Sequence, residues 1–396
     1  MLFRSARLSA WSQPDPAVAA YGKLASGVLT PIRARLAMEV GGPAALTWAA
    51  GDRDGSPAEV GDDGGRRIAR GERAERGTRP VIIAHRGASG YLPEHSLPAK
   101  AMAHAFGADF LEQDLCMTKD GEVVVIHDPW LDELTDVADR FPGRARADGR
   151  TYVLDLTLAE LRTLRLSERF EVVDGVRRPV YPGRFPVMTG ELRIPTFHEE
   201  LELIGGMNRS TGRVAGIYPE VKSPWLHHQA GLDLAVATLR ILRDHGYTRR
   251  ADPVFVQCFD PNETLRIRRE LMPALGIDLR LIQLIAENDW DETFERGADG
   301  TWQPYDYRWM HEPDGMTRIA AYADGIGPWI PMVIADDPAG PRPTGLVARA
   351  HAAGLAVHPY TARADALPPW AASHDAILDA VLGDAGADRK STRLNS

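Results

Sequence analysis

The chain has 396 residues, 44% of them hydrophobic, which suits one large α/β domain with a substantial core. Its formal charge of 46 − 55 = −9 argues against a nucleic-acid-binding surface, since polyanion binders present a basic face. No apolar run approaches the roughly 18 residues of a membrane span, so stable membrane insertion is not expected.

Residues 1–79 are rich in Gly, Arg, Asp and Glu without sustained hydrophobic period; they are expected to be disordered or artefactual and to lie outside the folded domain. Neither 29–36 nor 44–50 makes a convincing secretory signal. Val81–Ala84 is a short apolar run ending at His85 and is read as the first strand. A helix is predicted over 98–106 and a second strand over 109–115. Lys119-Asp120-Gly121 is a turn signal, and 123–126 should return along the second strand, bringing His127 beside Glu112 and Asp114. Residues 129–213 are too long for a plain connection and are read as a subdomain inserted after the second strand and overhanging the site, with helices at 158–164 and 196–204. Further strands are predicted at 214–221, 254–258, 279–285, 321–326 and 355–358, with an amphipathic helix at 232–245. The alternation describes an α/β fold, a TIM (β/α)8-type barrel, without a candidate for its eighth strand. Cys116 and Cys258 both end probable strands and read as small buried hydrophobes, a disulfide being the alternative.

Glu112 and Asp114, spaced i, i+2, share one face of a strand. With Glu220 from the next strand they form an oxygen-only donor set, which suits Ca²⁺ or Mg²⁺ better than Zn²⁺. His85 and His127 are the candidate acid and base, because an imidazole titrates near neutral pH.

The motifs His85-Arg86-Gly87, Pro93-Glu94-His95-Ser96, Glu112-Gln113-Asp114, His127-Asp128 and Pro219-Glu220-Val221-Lys222 stand in one order. In this the chain resembles the glycerophosphodiester phosphodiesterase family, in its long bacterial secreted form, over residues 80–387. The resemblance implies hydrolysis of glycerophosphodiesters to sn-glycerol 3-phosphate and an alcohol. It also implies a Ca²⁺ ion (Mg²⁺ as the alternative) on Glu112, Asp114 and Glu220, proton transfer by His85 and His127, and phosphate binding by Arg86 and Lys222. The implied partner is a small-molecule glycerophosphodiester, and the implied location is the periplasm or the exterior. Glu94 is read as support for Arg86 or the metal. His95, His227 and His228 are assigned no chemistry, and Trp225, Trp329 and Tyr360 are read as packing, with pocket shaping as the alternative. Two other functions are weighed: a binding protein on the same barrel, and a phospholipase acting on lipid head groups. Head-group preference, oligomeric state and the division of labour between the two histidines are left open.

Residues 388–396, DRKSTRLNS, match the translation of a common sequencing-adapter DNA, as does LFRS at 2–5. The barrel is therefore expected to be truncated, with an open seam between 355–358 and 81–84 and a tendency to aggregate.

Overall fold

The computed structural model describes residues 81–338 and 340–392. The expectations for 1–79, including the origin of 2–5, lie outside the described residues.

The central sheet is built from β1 (Val81–Ala84), β2 (Phe110–Met117), β3 (Val123–Val125), β4 (Gly216–Val221), β5 (Phe255–Cys258), β6 (Arg280–Ile285), β7 (Gly325–Pro328), β8 (Ala356–Val357) and β9 (Arg389–Thr392). Their spatial order is β8-β7-β6-β5-β4-β2-β1-β9, all parallel, with β3 antiparallel on β2. Every residue of β2 and β4 is buried, as a parallel sheet covered on both faces requires. Ile83, Phe110, Tyr218, Phe255 and Ile282 fill the barrel interior. Gly216 has no side chain because a Cβ there would lie 2.4 Å from the Phe110 ring.

Outside the strands pack α1 (Leu97–Ala105), α2 (Phe197–Thr211) and α3 (Leu234–Asp244). Each starts at a side-chain cap: Ser96 accepts the Ala99 N–H, Thr196 and Glu199 form a reciprocal capping box, and Asp233 accepts the Val236 N–H. Phe197, Leu201 and Ile204 of α2 join the same core as Ala103 of α1. This helix, expected to end at 204, runs to Thr211 and belongs to the barrel's outer layer. The rest of the insertion builds its own cluster, Leu131, Leu134, Leu156, Leu161 and Leu164, against Cys116, Val124 and Ile126.

Two strand expectations are corrected. The strand placed at 321–326 is Gly325–Pro328. Tyr322 and Ala323 instead donate backbone N–H groups to the Ile319 carbonyl at 3.0 and 2.9 Å, closing the preceding helix, and the Asp324 carboxylate takes the Leu281 N–H at 2.7 Å. The second correction concerns the barrel's last position. Arg389–Thr392 lies parallel to Val81–Ala84 and occupies the outer edge of β1. The Asp388 N–H reaches the Val357 carbonyl at 3.2 Å and the Asp388 carboxylate accepts the Val357 N–H at 2.9 Å. No strand pairing among the described residues joins β8 to β9, so the barrel is incomplete at that seam. Cys116 and Cys258 are buried free thiols, not a disulfide.

Candidate active site

The chain leaves β1 at Ala84 and turns through two left-handed residues, Arg86 (φ 59°) and Gly87 (φ 83°). A Cβ on Gly87 would sit 2.9 Å from the Ala99 backbone carbon, so only glycine lets the turn press against α1. The turn aims the Arg86 N–H at Glu112 Oε2 (2.6 Å) and its guanidinium at both Glu94 oxygens (2.9 and 3.0 Å). Arg86 Nε also lies 3.5 Å from Asp114 Oδ2. Burial opposes the Arg86 charge, but Glu94 and Asp114 outweigh it and hold its pKa above the ordinary arginine value.

Alternation along β2 sorts its polar residues by face. Gln113 points to the helices and donates to Glu200 Oε1 at 2.8 Å, beside a buried Lys100–Glu200 ion pair of 3.1 Å. Glu112 and Asp114 point the other way, and the parallel register sets Asp114 beside Glu220 of β4. Burial, then the neighbouring charges of Asp114 and Glu220, push the Glu112 pKa well above the usual carboxylate range. Burial does the same to Glu220, with Lys222 opposing and Asp114 adding. Asp114 is buried too, yet His127 and the His95 hydrogen bond hold it well below that range. Glu112 Oε1 and Asp114 Oδ1 are buried and accept no hydrogen bond.

The hairpin from β2 to β3 returns His127 to this cluster, as its turn signal implied. His127 Nδ1 lies 2.5 Å from Asp128 Oδ1, and its Nε2 lies 3.5 Å from the Lys222 ammonium. Lys222 pairs with Glu220 Oε1 at 3.1 Å and approaches Glu292 Oε2 at 3.6 Å. Burial, Arg86 and Lys222 lower the His127 pKa below the ordinary imidazole value. His85 lines the mouth cavity together with His127, and lines an inner cavity with Glu112 and Glu220.

All seven residues singled out from sequence, His85, Arg86, Glu112, Asp114, His127, Glu220 and Lys222, therefore gather at the C-terminal ends of β1, β2, β3 and β4. Arg86 and Lys222 are each tied to buried acids, Arg86 to Glu94 and Lys222 to Glu220.

His95, assigned no chemistry from sequence, and Arg169 also belong to the site. His95 donates from Nε2 to Asp114 Oδ2 at 2.7 Å; burial, followed by Lys100, lowers its pKa to about 3 and keeps it neutral. Its signal was its place beside Glu94 in the loop that follows the first strand. Its nitrogen and the Glu112 and Asp114 oxygens all lie within 4.8 Å of one another, a group able to hold a metal ion. Arg169, from the insertion, binds Asp128 (2.6 Å), Glu133 (2.9 Å) and Glu94 (2.9 Å), and no motif marked it. His227 does have a purely structural role: Nε2 accepts the Met117 N–H and Nδ1 donates to the Ser223 carbonyl, both at 3.0 Å.

The sequence profile of the Glycerophosphoryl diester phosphodiesterase family matches residues 85–386, well over half the chain. The chain belongs to this family. A glycerophosphodiester phosphodiesterase of Haemophilus influenzae is 50% identical over 310 residues, covering 78% of this chain and 85% of the relative. One from Treponema pallidum is 43% identical over 311 residues, covering 78% and 87%. An Oleispira antarctica phosphodiesterase, solved in complex with the product sn-glycerol-3-phosphate, shares the fold with a TM-score of 0.51 at 18% identity, covering 80% of this chain and 94% of that one. For a glycerophosphoryl diester phosphodiesterase, the acid cluster flanked by two imidazoles lies where a barrel places its chemistry, at the C-terminal strand ends.

Proposed function

We propose that this enzyme hydrolyses glycerophosphodiesters such as glycerophosphocholine to sn-glycerol 3-phosphate and the free alcohol, using a divalent cation and two histidines. The observation that carries this is the pair of buried carboxylate oxygens, Glu112 Oε1 and Asp114 Oδ1, left without hydrogen-bond partners beside Glu220, at a mouth that His85 and His127 line. Burial first, and then the neighbouring acids, raise the Glu112 and Glu220 pKa values, and a hard cation offsets both costs. The carboxylates fit Ca²⁺, with Mg²⁺ the alternative; Glu112 and Asp114 would hold it, with Glu220 alongside, although Glu220 stands outside the tighter group that these two form with His95. When bound, the ion would supply positive charge to offset the charge that builds on the phosphate.

Around it, this chain's own groups do the rest. Lys222 and Arg86 add positive charge for the phosphate. Asp128 accepts the Nδ1–H of His127 and so fixes the tautomer that turns Nε2 toward the substrate. One imidazole takes the proton from the attacking oxygen, either water or the glycerol 2-hydroxyl, while the other delivers a proton to the departing alcohol as its P–O bond breaks. The relatives named for this activity and the product held by the Oleispira neighbour support the substrate class. A periplasmic or secreted setting is proposed from the family resemblance alone. Among the described residues no helix is long and apolar enough to cross a membrane.

The test is turnover of glycerophosphocholine at saturating metal. His85→Ala and His127→Ala should each lower kcat by about 10² or more, the loss expected for a positioned acid or base. Full activity in either variant would remove that histidine from the chemistry.

A further inference from the structure

Above the strand ends the mouth divides into two cavities that share His127, Asp128 and Trp290. One, of about 410 Å³, is lined by Arg86, Arg169 and Arg363 together with Tyr181, Trp329 and Tyr360. The other, of about 390 Å³, is walled by Trp130, Trp225, Trp290 and Phe294 and includes the carboxylates of Asp291 and Glu292. Both are aromatic; three arginines line the first, whereas the second sets Asp291 and Glu292 against Arg150 and Lys222.

The aromatic walls are held in place by their own contacts. Trp225 donates its indole N–H to the Glu292 carbonyl at 3.3 Å and packs on Phe294 with ring centres 4.5 Å apart. Trp290 meets Trp329 edge-on at 5.1 Å. The cationic side chains in this lobe are already engaged. Arg150 stacks over Trp130 with its guanidinium carbon 3.9 Å from the ring centre, and Lys222 pairs with Glu220 and Glu292. Asp291 has no ion-pair or hydrogen-bond partner for its carboxylate among the described residues.

Indole and phenyl faces attract cations through their quadrupole, and a nearby unpaired carboxylate adds Coulomb attraction. We infer that the aromatic lobe is the head-group subsite and that it selects alcohols carrying an ammonium group, choline-like or ethanolamine-like, over neutral alcohols. This rests on the hydrolytic function proposed above. The lobe is lined by His127 and Lys222, so an alcohol seated in it lies beside the reacting side chains.

The experiment compares kcat/KM for glycerophosphocholine with that for its neutral carbon isostere, the 3,3-dimethylbutyl diester. Taking the ratio within one preparation cancels any misfolded fraction. The wild-type ratio should be about tenfold in favour of choline, the size expected of aromatic and carboxylate contacts to a partly exposed cation. Asp291→Asn, which keeps a residue tolerant of the left-handed backbone there (φ 54°), and Phe294→Leu should each cut the ratio about threefold, mainly through the KM of the choline substrate. A wild-type ratio near one, or a ratio unchanged in both variants, would overturn the assignment while leaving the hydrolytic function standing. Hydrolysis of neither diester by the metal-loaded protein would overturn that function and the assignment together.

Discussion

Glu112 and Asp114 stand two residues apart on one strand, yet their acidities move in opposite directions. Burial raises both; the difference lies in their neighbours, since Asp114 faces His127 and His95 while Glu112 faces Asp114 and Glu220. His227 shows the same principle away from the chemistry. Burial lowers its pKa to about 4 from an ordinary value of 6.5, with both ring nitrogens committed to backbone. Between those two pH values the unfolded chain binds more protons than the folded one, so stability rises with pH across the window. The contribution is whole above about pH 6.5 and is lost as pH falls toward 4. On going from pH 7.5 to 5, wild type should lose about 2 kcal/mol more than His227→Gln, read from urea midpoints. Equal losses in the two proteins would mean that His227 is not held neutral.

At the scale of elements, the β2–turn–β3 hairpin places His127, and the insertion then locks its orientation through Arg169. That side chain is 13% exposed and serves Glu94, Asp128 and Glu133 at once. Arg169→Ala would strand buried carboxylates without their cation, a loss of about 3–5 kcal/mol. Its melting temperature and turnover should both fall, and Arg169→Lys should rescue neither, because a point charge cannot span three acids. Unchanged melting and turnover would show that the insertion does not support the site. The hairpin was legible because Lys119-Asp120-Gly121 is a local signal between apolar runs. Arg169 was not, because its partner Glu94 lies 75 positions away and no spacing marks such a pair. His95 was visible but undervalued: a loop histidine announces no role until the fold sets it against Asp114. The strand near 325 was placed too early because Tyr322 and Ala323 are apolar for a different reason, burial beneath a helix.

For the whole molecule, parallel strands ending in reactive residues predicted the barrel, since the C-terminal strand ends are where such a fold collects chemistry. What composition concealed was the closing edge. Arg389–Thr392 carries no strand-like pattern, and it pairs because β1 offers an open row of backbone donors and acceptors. The central claim concerns the acids that this architecture brings together, Glu112, Asp114 and Glu220. The most direct measurement is release of sn-glycerol 3-phosphate from glycerophosphocholine by the purified full chain, stripped with a chelator and then titrated with Ca²⁺. Activity should vanish on chelation and return with Ca²⁺. Full turnover by the stripped protein, or none at any concentration of Ca²⁺ or Mg²⁺, would contradict the account.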